Sequence, residues 1–191
     1  VCRANVSEFT REKIIENMRR TYSINQNSHR SGYYFKPLIF NNELSFNVSF
    51  DDNCKYDLGN VDQFDINKLI GISYGFHHNN SIRIGWRYNT KIDKIELLPY
   101  IYVNGKRLTE DTCPVILSIS TNQRVYGMIS HDFGSYRILL YTRDSGHIEY
   151  RFSTGDTKLP NVGYVLFPYF GGNVKAPHKM TIDMEYNVIR D

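Results

Sequence analysis

The sequence predicts an all-β sandwich preceded by one N-terminal helix. Three observations carry this. From Tyr33 onward apolar residues recur at every second position, in about ten short segments. Turn residues separate those segments at intervals of ~8–12 residues. The chain also holds 15 Tyr among 191 residues, and Tyr favours pleated, half-buried surfaces.

Composition narrows the class. With 41% apolar and 23% charged residues, the chain has the balance of a folded globular protein. Its length suits one domain with an appendage. A net charge of +3 is too small for a nucleic-acid binder, which carries a dense basic stripe. The most basic stretch, Arg11 to Arg20, interleaves Glu12 and Glu16 and reads as a mixed-charge helix face. No apolar run approaches ~18 residues, so no transmembrane helix is expected.

The helix is placed at Thr10 to Arg20. Ser7 is its cap, and Phe9, Ile14, Ile15 and Met18 form its apolar stripe. Residues 23–31 are polar and turn-rich and read as a linker. The chain thus divides into an arm, 1–31, and a sandwich, 32–191. The arm is read as a lid, a packing element or a contact for a protein partner.

Within the sandwich, Leu44, Phe46, Val48 and Phe50 alternate with Ser45, Asn47 and Ser49, the clearest strand in the chain. Ile66 to Tyr74 follows. Two neighbouring strands then fill Asn79 to Gly105. Ile82, Ile84, Trp86 and Tyr88 point one way and Arg83 and Arg87 the other. Ile95, Leu97, Ile101 and Val103 face the core, leaving Glu96, Tyr100 and Tyr102 opposite. Asn104-Gly105 is a type I′ hairpin signal. Further strands are expected at 115–119, 124–130, 136–142, 147–153, 164–170 and 180–188.

The face of Arg83, Arg87, Glu96, Tyr100 and Tyr102 is the candidate ligand-binding surface. Aromatic rings suit sugar CH faces, and guanidinium and carboxylate groups supply paired hydrogen bonds. The competing reading is a solvated face of cross-strand ion pairs. His77-His78 sits at a strand end, where a histidine can serve as acid or base. Adjacent residues of an extended chain point apart, so the two are not expected to chelate one metal. Gly171-Gly172-Asn173 reads as a turn needing positive φ. No metal site is assigned, although Asp51-Asp52-Asn53 and Asp62 with Asp65 offer oxygen-rich loops of the kind that hold calcium in sandwiches. Cys2, Cys54 and Cys113 form no CxxC pair. Either one bridge joins Cys54 to Cys113, or the thiols are unpaired.

The alternating strands and the peripheral helix together resemble the concanavalin A-like lectin and glucanase superfold. NSIRIGWRY, KIELLPYIYVNGKR and GYVLFPYFGGNVKAPHKMTIDME resemble segments of a Bacteroidetes-type bacterial protein family with no established activity, and carry no functional residues over. LFPYFGG is loosely similar to a strand of the jelly-roll alginate lyases. That likeness implies catalytic roles for His77 or His78, Arg83 and Tyr169, although the family's RSELR-type and Gln-Ile-His strands are absent here. The first expectation is therefore non-catalytic recognition of a glycan. The alternatives are a lyase-like enzyme cleaving polysaccharide, or an assembly protein of a virion or cell surface. Sequons at Asn5, Asn47 and Asn79 would matter only in a eukaryotic secreted protein; an extracellular or cell-surface location is the expectation.

Overall fold

The computed structural model describes residues 18–32, 34–39, 42–108 and 113–190. Thirteen strands are assigned among these residues: β1 (Met18–Ile24), β2 (Pro37–Ile39), β3 (Asn42–Phe50), β4 (Asn67–Tyr74), β5 (Ser81–Asn89), β6 (Lys94–Val103), β7 (Lys106–Arg107), β8 (Leu117–Ile119), β9 (Val125–Asp132), β10 (Ser135–Thr142), β11 (Gly146–Ser153), β12 (Val162–Leu166) and β13 (Met180–Arg190). One sheet runs β1-β13-β3-β9-β10-β11. The other runs β2-β12-β4-β5-β6-β7, with β8 also on β6.

The period-two pattern builds the core. Leu44, Phe46, Val48 and Phe50 of β3 meet the inward residues of β4, β5 and β6 in one buried cluster. Trp86 is 0% exposed and packs on Phe50 at 5.1 Å and Tyr56 at 6.1 Å. Parity therefore assigns it to the interior correctly. Asn104 and Gly105 both have positive φ, 51° and 77°, as the I′ turn between β6 and β7 requires. Gly171 is at φ 67°, as its turn requires.

The arm differs from expectation. Met18, Arg19 and Arg20 belong to β1 and not to a helix. Tyr22 and Ile24 are buried, and β1 pairs with β13 throughout. Burial of these two alternate residues outweighs the helical spacing upstream, and tertiary packing commonly overrides local propensity in this way. The remainder of the expected helix, 10–17, and any partner contact through it lie outside the described residues. The linker is also part of the sandwich. The Phe170 amide donates to the His29 carbonyl at 2.7 Å, and Asn27 and Ala176 are tied by a backbone bond of 2.9 Å. The sandwich therefore takes in the chain from Met18 rather than from 32. The strand expected over 164–170 lies earlier, in β12.

Cys54 and Cys113 are buried thiols and form no disulfide. Burial pushes the Cys54 thiol up to about 12, and the thiolate is the reactive form. Alkylation mapped by mass spectrometry at pH 8 should leave Cys54 unmodified in the folded protein and modify it on unfolding. Asp51 caps the short turn at Asp52–Cys54, and Asn53 hydrogen-bonds Thr181. In this oxygen-rich loop Asp51 Oδ1 accepts from the Asp52 amide and Asn53 Oδ1 from the Thr181 amide, each at 2.7 Å. Among the described residues no helix is long and apolar enough to cross a membrane.

Candidate functional site

β5 and β6 pair with Arg83 opposite Tyr100, Arg87 opposite Glu96 and Ser81 opposite Tyr102. The five candidate residues thus share the outer face of the larger sheet. The face is not an ordinary wet surface, since Arg83 is 7% and Glu96 6% exposed.

The five fall into two groups. Arg87 Nε donates to Glu96 Oε2 at 2.6 Å, and Asn89 Nδ2 donates to the other carboxylate oxygen at 2.7 Å. This is a cross-strand clamp on the β5–β6 hairpin, four residues along β5 from Arg83. Removing one partner leaves a buried carboxylate under-compensated. Because Asn89 still holds the other oxygen, Arg87→Ala should lower stability by about 1–3 kcal/mol in denaturant unfolding.

The second group is centred on Tyr100. Lys68 Nζ lies 4.9 Å from its ring centroid, and the guanidinium carbons of Arg83 and Arg107 lie 5.6 Å from it. Lys68 reaches this face through a bulge. Lys68 pairs with Gly85 but Ile70 pairs with Ile84, so β4 shifts register at Leu69. The extra residue turns Lys68 outward, away from the parity of Ile70 and Ile72. Gly71 sits beneath Arg83, and a Cβ there would come within 2.6 Å of Arg83 Cγ. The glycine lets the arginine stem lie flat on the sheet.

Histidines and tyrosines continue the group around Arg83. His77 Nδ1 and the Tyr164 hydroxyl are 2.6 Å apart. The rings of His77 and His78 are 4.2 Å apart, and His78 lies 5.3 Å from Tyr102. Both histidines lie in the turn between β4 and β5, so their rings meet instead of pointing apart as an extended chain would place them. Tyr169 borders the group at Lys68, whose Nζ also lies over the Tyr100 ring. Its ring is 5.3 Å from Lys68 Nζ and stacks on His29 at 5.1 Å.

The electrostatics of this cluster are unusual. Nε and Nη2 of Arg83 are buried without a hydrogen-bond partner. Among the described residues no carboxylate forms an ion pair with Arg83 or Lys68. Buried charges are ordinarily paired; Lys68 Nζ donates to the Gly171 carbonyl at 2.6 Å, whereas these two Arg83 nitrogens have no partner. Burial, with Arg83 and Arg107 nearby, lowers the Lys68 ammonium from its usual range. Burial alone would raise the Tyr100 phenol, yet Lys68 and Arg107, with hydrogen bonds from Arg107 and Tyr102, outweigh it and bring that phenol down. Burial and the charge of Tyr100 move Tyr102 the opposite way, upward. Burial, Arg83 and His78 push His77 down to about 4, so it is neutral near pH 7.

Of the residues named from the sequence, the structure brings Arg83, Tyr100, Tyr102, His77, His78 and Tyr169 together and sets Arg87 and Glu96 apart; Lys68, Tyr164 and Arg107 join the group without having been named. Parity without the bulge assigns Lys68 to the core. Tyr164 was read within a strand displaced along the chain. Arg107 follows the Asn104-Gly105 turn, and the hairpin register could have placed it beside Tyr102.

No family model matches the chain and no curated protein does, so the Bacteroidetes-type likeness is not confirmed. Solved structures do match. A PL-14 alginate lyase from Aplysia kurodai superposes with a TM-score of 0.56 at 12% identity, covering 93% of this chain and 87% of the lyase. The alginate lyase from Klebsiella pneumoniae gives 0.53 at 10% identity over 80% of this chain and 61% of its own. The winged bean acidic lectin, complexed with methyl-α-D-galactose, gives 0.52 at 8% identity over 94% and 92%. The protein is a concanavalin A-like, jelly-roll β-sandwich. At these identities the likeness defines the fold, and any function must be argued from the site.

Proposed function

We propose that the Arg83 face binds an acidic, uronate-bearing polysaccharide and cleaves it by β-elimination. Arg83 carries the proposal. It is a buried guanidinium with two unpartnered nitrogens, beside a tyrosine whose phenol neighbouring cations make more acidic. A guanidinium fork matches a carboxylate in geometry and charge.

The chemistry follows from those roles. Arg83 neutralises the uronate carboxylate, which acidifies the C5–H bond beside it. Tyr100, as phenolate, takes that proton. The C5–H electron pair becomes the C4=C5 double bond, and the C4–O bond breaks. Tyr102, which keeps its proton, gives it to the departing oxygen. No water is consumed, and the products are a 4,5-unsaturated uronate and a new reducing end. Two titratable groups displaced in opposite directions are the usual mark of a base and an acid. Lys68 holds positive charge beside the phenolate and the developing enolate.

The lyase and lectin neighbours accord with a carbohydrate ligand in either mode. Recognition without cleavage is the alternative and would use the same Arg83 anchor. Cleavage is favoured by geometry: the Tyr100 and Tyr102 rings lie 5.9 Å apart beside the Arg83 anchor, which puts a proton acceptor and a proton donor within reach of one sugar. The test is incubation with polyglucuronate, polymannuronate and polyguluronate, read by ultraviolet absorbance of the unsaturated product. A rise with at least one supports cleavage. Calorimetric binding without a rise leaves recognition alone, and absence of both removes the proposal.

A further inference from the structure

The outer face of the larger sheet is chemically two-ended. In register across six strands, Pro37, Tyr164, Ser73, Ser81, Tyr102 and Arg107 lie side by side. At ~4.8 Å per strand, this row is about 24 Å long, enough for several sugar rings. The β4–β7 end carries Lys68, Arg83 and Arg107. The β2–β12 end is apolar and open. Phe35 is 74%, Val162 59% and Phe76 58% exposed. Val162 pairs with Ile39, and Tyr164 with Pro37, on the same side of the sheet.

The two ends are continuous. Tyr164 lies 5.8 Å from Phe35, and its hydroxyl contacts His77, whose ring lies 4.9 Å from Phe76. Tyr164 also lies close enough to Arg83 to act on its charge. Clustered exposed apolar side chains are characteristic of interaction sites, and here they adjoin the Arg83 site through Tyr164 and His77. A polymer lying along the row therefore passes from a cationic, tyrosine-lined surface to an apolar one.

Resting on the uronate reading above, we propose that the ligand is a heterogeneous acidic polysaccharide. The uronate held by Arg83 is flanked by a sugar bearing a methyl group, either a 6-deoxy methyl or an O-acetyl. That methyl packs among Phe35, Tyr164, Val162 and Phe76. A bare polyuronate would bring a fully hydroxylated, charged ring to the apolar end and leave those side chains uncovered. One methyl group buried in such a patch is worth roughly a four- to tenfold preference.

The experiment compares matched polymers with the wild-type protein. One pair is an O-acetylated acidic polysaccharide before and after mild alkaline deacetylation, which leaves the carboxylates in place. A second pair is a polymer alternating uronate with a 6-deoxyhexose, and a uronate homopolymer. Cleavage and calorimetric affinity are read for each. A four- to tenfold preference, carried by KM or Kd, for the methyl-bearing member of either pair supports the proposal and names the source of the methyl. The double substitution Phe35→Ser with Val162→Ser should then bring that ratio close to one, while thermal unfolding shows the variant to be folded. Equal handling of both members of both pairs, or preference for the bare polymers, overturns this proposal and leaves the uronate reading standing. No binding or cleavage of any of the four overturns the uronate reading, and this proposal with it.

Discussion

Arg83→Met is expected to abolish cleavage and raise stability in the same protein. The guanidinium lies buried with two nitrogens unpartnered, and among the described residues it forms no ion pair. A buried, uncompensated charge opposes folding, and an apolar side chain of similar length removes that cost. Stability should rise by about 1–3 kcal/mol. The same substitution removes the group that neutralises the uronate carboxylate, so kcat/KM should fall by roughly 10³-fold. Thermal unfolding and the ultraviolet assay on one preparation check both. Parallel loss of stability and activity would mean that the Arg83 charge is compensated within the fold and that its role is structural.

Tyr100→Phe is expected to separate binding from chemistry. The ring remains beside Lys68, Arg83 and Arg107, and only the hydroxyl is lost. Affinity for a uronate oligosaccharide should change by a few fold, while kcat falls by roughly 10²–10⁴. The pH profile follows with a definite sign. Tyr100 must be ionised to accept the proton, so kcat/KM rises with pH towards the ionisation of this phenol, below the ordinary value of about 10. It falls again once Lys68 loses its proton, also below the usual lysine range. Lys68→Met removes a cation from beside Tyr100 and should move the rising limb to higher pH. An unshifted limb in that variant would show that another group is the base.

Much of this arrangement was legible in the sequence. Strict alternation in β5 and β6 separated Arg83, Arg87, Glu96, Tyr100 and Tyr102 from Ile82, Ile84 and Trp86, and the hairpin register then fixed their neighbours. What stayed hidden came from departures from that alternation. The bulge at Leu69 turns Lys68 outward, and nothing in the run NKLIGISY announces it. The Arg87–Glu96 clamp and the Arg83 cluster look alike by parity. They differ in hydrogen bonding, because Glu96 is saturated by Arg87 and Asn89 while Arg83 is left without an anion. At the start of the chain, helical spacing concealed β1, whose register comes from pairing with β13 more than 150 residues away.

The central claim is that Arg83 recognises a carboxylate. Calorimetry on the Tyr100→Phe variant, which holds ligand without consuming it, tests this with a uronate oligosaccharide and its carboxyl-reduced, neutral counterpart. Binding of the acid at least tenfold tighter than the reduced form, with the difference removed by adding Arg83→Met, is the predicted result. Equal affinity for the two ligands, or a preference that survives Arg83→Met, would contradict it.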